Sequence, residues 1–212
     1  MIIAVISDTR IGTEGAKKRE QSLENFLDFA GSRGWLLILN GDILDLWAYP
    51  LNWIMATSGT IVRKLAAYPD KIWIPGNHDA NQEAMEEALD LKPSEIHLKY
   101  TVGEWTIFHG YQVDPALKLA PQRWFAEILD RASTELNLFN ELREKIARTD
   151  RTNEPLIEGT KDMGNVILGH SHVAANQGAY MNCGCWCDDS PAPNHLILFA
   201  PAKARPSLLG WP

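Results

Sequence analysis

The chain has 212 residues, 45% of them hydrophobic, with a formal net charge of -7 and a pI near 5.4. That length suits one α/β domain or two small ones, and the hydrophobic share excludes a disordered chain. The acidic balance excludes a general nucleic-acid binder, which would present a basic surface, although a bound metal would still draw a phosphate locally.

Met1 to Ile6 opens apolar, but Ser7-Asp8 ends the run too soon for a signal-peptide core, and no stretch reaches membrane-spanning length. The expectation is a soluble, cytoplasmic protein without a transmembrane segment, with peripheral membrane contact and oligomeric state left open. Ile2-Ile3-Ala4-Val5-Ile6 reads as a first strand ending in Ser7-Asp8-Thr9-Arg10. Leu23, Phe26, Leu27 and Ala30 then follow at helical spacing. Trp35 to Leu39 is an uncharged run of the kind buried on both faces of a sheet, and it ends in Asn40-Gly41-Asp42-Ile43-Leu44-Asp45. Gly41 permits a tight exit there. Asp42 and Asp45, three apart, turn to one side and either cap the next turn or bind metal.

Leu46 to Trp53, aromatic-rich and broken by Pro50, reads as a loop entering a helix around Ser58 to Ala67. Trp47 and Trp53 there either pack in the core or wall a pocket. Lys71 to Ile74 makes a third strand, ending in Pro75-Gly76-Asn77-His78-Asp79 ahead of a Glu-rich helix over Gln82 to Leu89. Trp105 to Phe108 is a fourth, with His109-Gly110 at its end, and Val166 to Leu168 a fifth, ending in Gly169-His170-Ser171-His172. Between these last two lies one large insertion, roughly 114–162, with helical stripes over Leu117 to Leu129 and Glu135 to Ile146. It reads as a helical cap on a single domain, with Trp124 on its first stripe. Its basic residues, Arg143, Lys145, Arg148 and Arg151, read as a solvated face. Antiparallel strands around Ala179 to Asn182, His195 to Phe199 and Pro206 to Leu209 close the chain. Cys183, Cys185 and Cys187 alternate with Gly184 and Trp186, so a strand there would put all three on one face. They lack the spacing of a zinc ribbon and read as small buried thiols.

Asp8, Asp42, Asn77, His109, His170 and His172 are oxygen or imidazole ligand types, each at the carboxyl end of an expected strand, where an open α/β sheet gathers its site. Such donors without a thiolate point to divalent metals held close together, Mn²⁺ first and then Fe²⁺ or Zn²⁺, with a carboxylate as the natural bridge.

In this order, Gly-Asp-x-x-Asp, Gly-Asn-His-Asp, His-Gly and Gly-His-x-His resemble the calcineurin-like metallophosphoesterase family, from Asp8 to His172. The resemblance implies a four-layer αββα sandwich of two mixed sheets with two metals at one edge. Asp8 and His172 would hold the first metal, Asn77, His109 and His170 the second, and Asp42 would bridge them. His78, oriented by Asp45, would stand over the substrate phosphate, stabilising transition-state charge or protonating the leaving oxygen. Trp47 and Trp124 are the aromatic candidates for substrate contact.

One position departs. Where the family has Asp-x-His, this chain has Asp8-Thr9-Arg10, and a guanidinium is no metal ligand. The first site is then filled only at high metal, or Arg10 itself supplies the second positive charge and grips the phosphate, or the site has decayed; the retained ligands favour the first two. The implied activity is hydrolysis of a phosphoester or pyrophosphate in a small phosphorylated molecule. Flanks such as Gly41 to Trp47 and Tyr180 to Trp186 are similar to the UDP-2,3-diacylglucosamine pyrophosphatase branch, which makes a nucleotide-sugar lipid precursor one substrate candidate beside nucleotides and other phosphodiesters. The alternatives are a scaffold that binds a protein partner, and a Ser/Thr protein phosphatase. Leu46 and Ala80 stand against the latter, in place of its arginine-bearing flanks.

Overall fold

The computed structural model describes residues 1–115, 152–187, 193–200 and 205–212. In chain order its elements are β1 (Ile3–Ile6), α1 (Glu14–Lys17), α2 (Glu20–Gly31), β2 (Leu36–Asn40), α3 (Leu51–Ala66), β3 (Lys71–Ile74) and α4 (Gln82–Leu89). Then come β4 (Tyr100–Val102), β5 (Trp105–Ile107), α5 (Glu154–Thr160), β6 (Asn165–Leu168), β7 (Ala175–Gln177), β8 (Tyr180–Asn182), β9 (His195–Phe199) and β10 (Ser207–Gly210).

These strands form two mixed five-stranded sheets, ordered β10-β9-β1-β2-β3 and β4-β5-β6-β8-β7. In the first, β1, β2 and β3 run parallel and β9 runs antiparallel to both its neighbours. In the second, β5, β6 and β8 are parallel, with antiparallel edges at β4 and β7.

Side-chain alternation along the inner strands explains the layering, because successive residues point to opposite faces. Ala4, Ile6, Leu37, Leu39 and Trp73 pack toward α2, α3 and α4. Val5, Leu36, Ile38, Ile72 and Ile74 pack instead toward Trp105, Ile107, Ile167 and Met181 of the other sheet. Beyond that sheet, Leu156 of α5 shares a core with Phe108, Val166 and Leu168. Each fully buried side chain of this size contributes about 1.5–3 kcal/mol relative to exposure.

Besides the short strands β4 and β7, which the sequence reading did not include, three details differ from it. Helix α3 starts at Leu51, not Ser58, because Pro50, with φ of -68°, pre-sets the entry; Ser58, at φ -134°, is a kink inside the helix. Tyr180 to Asn182 runs parallel to β6 and antiparallel only to β7, since the short β7 strand and the turn at Gly178 reverse the chain first. The cysteine segment is not a strand: Gly184 adopts a left-handed φ of 68°, so Cys183 enters the core between the sheets while Cys185 and Cys187 cluster elsewhere with Ala16. All three thiols are buried and outside any disulfide. The expected cap helices over Leu117 to Leu129 and Glu135 to Ile146, with Trp124, lie outside the described residues. Among the described residues, no helix is long and apolar enough to cross a membrane.

Candidate active site

Five strand ends converge on one edge of the sandwich, and polar bonds between the sheets fix how they meet. Asn40, fully buried at the end of β2, donates through Nδ2 to the carbonyl of Phe108 at 3.2 Å. Its own carbonyl accepts from His109 Nδ1 at 2.7 Å and from Ser7 Oγ at 2.9 Å. A carbonyl can only accept, so His109 carries its proton on Nδ1 and turns Nε2 toward Asp42 Oδ1, 3.4 Å away, and Asp8 Oδ1, 4.0 Å away. Asp8 is held from both sheets: Oδ2 accepts from the backbone N–H of His170 at 3.0 Å and from Ser7 Oγ. The chain can come this close because Gly41 and Gly169 have no Cβ. A methyl at Gly41 would strike the His109 ring, and one at Gly169 would strike Ser7 and Asp8.

The backbone at these strand ends is unusual. Asp8 (φ 54°), Arg10 (φ 49°), Asp42 (φ 54°), His170 (φ 67°) and His172 (φ 61°) all occupy the left-handed region. Such conformations cost of order 1 kcal/mol or more each and persist where surrounding bonds over-determine them. The largest such set of bonds belongs to Asp79. Its carboxylate accepts from the N–H groups of Asp42 (2.8 Å), Ile43 (2.9 Å), Leu44 (3.2 Å) and Gly76 (3.0 Å) and from Trp73 Nε1 (3.3 Å). Burial, then the Asp42 carboxylate, push the Asp79 carboxyl up to about 7, while its N–H donors favour the anion. Asp79 closes the Gly-Asn-His-Asp loop in the sequence, yet nothing in that motif distinguishes it from its neighbours as an anchor for Asp42.

Arg10 reaches across both carboxylates of the Gly-Asp-x-x-Asp loop. Nη1 lies 3.3 Å from Asp42 Oδ2 and Nη2 3.2 Å from Asp45 Oδ2, all largely buried. Burial works against its charge, but Asp45 and then Asp42 more than offset this, so the guanidinium pKa rises above its ordinary value. Asp45 also faces His78 Nδ1 at 3.0 Å through its other oxygen, and the His78 backbone N–H donates to Asp42 Oδ1 at 2.8 Å. Burial and then Arg10 lower the His78 pKa. Trp47 stands edge-on to the His78 ring with centroids 4.4 Å apart.

Two histidines satisfy the remaining negative charge. Against burial, Asp42 and then Asp8 push His109 up to about 9, and Asp8 pushes His172 up to about 9. In turn, despite burial, His172 and His109 hold Asp8 below the usual carboxylate value, and His109, His78 and Arg10 hold Asp42 well below it. The pocket is therefore built to hold positive charge.

Its donors fit a divalent metal. The buried atoms Asn77 Oδ1 and His109 Nε2 have no hydrogen-bond partner among the described residues. Donor atoms of Asp8, Asp42 and His172 lie within 4.8 Å of one another. His170 stacks edge-on with His109 at 5.4 Å, and Asp114 Oδ2 sits 2.8 Å from its Nε2, which leaves Nδ1 as the nitrogen for a metal, with Asp114 orienting the ring. Asp8, Arg10, Asp42, Asp45, His78, His109, His170, His172 and Trp47 thus meet at one edge, whereas Trp124 lies outside the described residues. Sequence reasoning quoted Asn40, Asp79 and Asp114 within motifs and flanks but gave them no role, since they act on the other groups and carry no ligand pattern of their own.

The sequence model described as calcineurin-like phosphoesterase matches residues 1–174. Among solved structures, the chain is similar to a novel archaeal phosphodiesterase, at 13% identity and a TM-score of 0.51, with 99% of each chain covered. It is also similar to a dimetal phosphatase from Danio rerio, at 9% identity and a TM-score of 0.46, covering 100% of this chain and 99% of that one. A cold-active protein-tyrosine phosphatase of Shewanella sp. follows at 13% identity and a TM-score of 0.42, covering 94% of this chain and 75% of that one. At 13% identity the likeness to the archaeal phosphodiesterase is one of fold. No curated protein matches the chain.

Proposed function

Because the chain belongs to the calcineurin-like phosphoesterase family and is thereby a phosphoester hydrolase, we propose that it cleaves a phosphodiester or pyrophosphate in a small molecule at one divalent metal, with Arg10 supplying the second positive charge. The observation that carries this reading is the guanidinium of Arg10 already bound to Asp42 and Asp45, in the place of the missing histidine. Asp42, Asn77, His109 and His170 would hold the metal, and oxygen and imidazole donors put Mn²⁺ first, before Fe²⁺ and Zn²⁺. When bound, the metal supplies Lewis acidity toward water and the phosphoryl oxygens. Asp8 and His172 keep two ligands of a first site that Arg10 leaves incomplete.

The chain's own groups do the rest. Arg10 offers a planar, permanently charged fork suited to phosphate oxygens, and its existing contacts to Asp42 and Asp45 hold it in position. His78 donates from Nδ1 to Asp45, which fixes the ring and leaves Nε2 for the substrate. An incoming phosphate favours the imidazolium, which then protonates the leaving oxygen or stabilises its charge. Trp47, packed against His78, would contact the part of the substrate beyond the phosphate, and Trp124 remains a candidate for the same task. The likeness of the flanks to the UDP-2,3-diacylglucosamine pyrophosphatase branch keeps a nucleotide-sugar lipid precursor beside nucleotides as a substrate class. A hydrolysis panel with added Mn²⁺ tests the reading, comparing a phosphomonoester, a phosphodiester and a nucleotide-sugar pyrophosphate. Preference for the diester or the pyrophosphate is expected; cleavage of the monoester alone, or of none, would overturn it.

A further inference from the structure

The loop after β8 brings two thiols to the far side of His172. Its path is pinned by the backbone: Trp186 N–H donates to the Asp8 carbonyl at 3.1 Å and Asn194 N–H to the Cys185 carbonyl at 2.8 Å. Trp186 is fixed in turn by Nε1 donating to the carbonyl of His195 at 2.7 Å. Cys185 and Cys187, one residue to either side of Trp186, pack together with Ala16 and are 0% and 1% exposed. Cys187 Sγ lies 3.8 Å from His172 Nδ1, and one donor atom from each of His172, Cys185 and Cys187 lies within 4.8 Å of the other two.

The geometry points to a thiolate-type metal site formed by Cys185, Cys187 and His172 Nδ1, which takes Zn²⁺ and stands beside the oxygen-rich centre. Tetrahedral zinc, with bonds of about 2.3 Å to sulfur and 2.0 Å to nitrogen, sets its donors roughly 3.5–3.8 Å apart, so the 3.8 Å between Cys187 and His172 already suits it and the other pairs, within 4.8 Å, close by about 1 Å at most. Two thiolates also neutralise the charge of a buried Zn²⁺, and soft sulfur donors select it over Mn²⁺. The other nitrogen of the ring supports the assignment: His172 Nε2 lies 3.1 Å from Asp8 Oδ1, the carboxylate–histidine–metal arrangement in which a carboxylate orients the ligating imidazole. The protein supplies three donors, so the fourth position falls to a small non-protein ligand. The proposal rests on the one-metal reading only through His172, which that reading leaves outside the ligand set of the bound metal; neither thiol belongs to that set.

Titration of the reduced, metal-free full chain with Co²⁺ under anaerobic conditions tests it, since sulfur ligation gives a near-ultraviolet charge-transfer band that oxygen and imidazole donors do not. One equivalent should produce this band with intense tetrahedral visible bands, and Zn²⁺ should abolish them. Cys185→Ser with Cys187→Ser should remove the band and lower bound zinc by one ion per chain. Absence of the band in the wild type, or its persistence in the double variant, would overturn the site. So would a thiol count of one rather than three in the unfolded, as-isolated protein, which would mean a Cys185–Cys187 disulfide instead. Should the double variant fail to fold, Cys187→Ser alone must weaken Co²⁺ binding at least about tenfold, and unchanged affinity there would also overturn it.

Discussion

Replacing Arg10 by histidine should destabilise the metal-free protein and at the same time raise its capacity for metal. The wild-type guanidinium lies 3.3 Å from Asp42 and 3.2 Å from Asp45, both buried. Removing one partner of a buried ion pair costs about 3–5 kcal/mol. Asp45 keeps His78 at 3.0 Å and Asp42 keeps His109 at 3.4 Å, which puts the loss at the lower end, about 3 kcal/mol. For a domain of this size that corresponds to a melting temperature lower by roughly 6–12 °C in the presence of a chelator. The backbone is no obstacle, because φ at Arg10 is 49° and histidine tolerates that region better than most residues. The new imidazole completes the set with Asp8 and His172, so Mn²⁺ at about 100 times its dissociation constant should return about 2.7 kcal/mol, close to the whole deficit. Differential scanning fluorimetry with chelator and with Mn²⁺, alongside metal analysis after dialysis at low Mn²⁺, reads both quantities. An unchanged melting temperature in chelator, or unchanged Mn²⁺ content, would refute the reasoning. Arg10→Ala removes the grip without adding a ligand, and its KM should rise about tenfold or more; a wild-type KM there would leave Arg10 no part in phosphate binding.

Asp42→Ala should lose both bound Mn²⁺ and hydrolysis, measured by metal analysis and turnover, because its carboxylate groups with Asp8 and His172 and also lies 3.4 Å from His109 Nε2; full activity would end the assignment. His78→Ala should keep its metal but lower kcat about 10²-fold, as for a group that handles charge or a proton outside the ligand shell; loss of metal would make His78 a ligand. Asp45→Asn should flatten the acid limb of stability. Although burial opposes it, Arg10 and then His78 hold Asp45 down to about 2 from 3.8. This depressed pKa contributes about 2 kcal/mol that is complete above about pH 4 and disappears as the pH falls through 2. Chelator-treated wild type should therefore lose more unfolding free energy than Asp45→Asn over that interval, and parallel curves would count against the pairing.

The strands that lie inside the sandwich were legible because burial on both faces writes itself as uncharged runs, and Lys71 to Ile74 is bounded as expected. The two edge strands of the second sheet were not: Tyr100 to Val102 and Ala175 to Gln177 are three residues long and partly exposed, too short to show a period. The ligand types at strand ends came from residue identity, and the oddity of Arg10 from the family's Asp-x-His pattern. What Arg10 does instead, lying across Asp42 and Asp45, depends on where the loop after β2 runs and could not be read from spacing. The cysteines show the same limit in reverse. Alternation suggested one shared face, but the left-handed turn at Gly184 split the set, and His172, which joins the remaining pair, is fifteen residues before Cys187 in sequence.

The way Asn40 ties the sheets has a mechanical consequence. Between the layers lies apolar packing, which has no preferred direction and yields to small sliding movements. At the site edge the layers are joined instead by directional bonds, from Asn40 to Phe108, from His109 to Asn40 and from His170 to Asp8. The sandwich is thus bound like a book whose spine is the reaction centre, and its pages part more readily at the opposite margin. A substitution that changes volume between the layers should therefore relax toward that margin, and the catalytic edge should keep its registration.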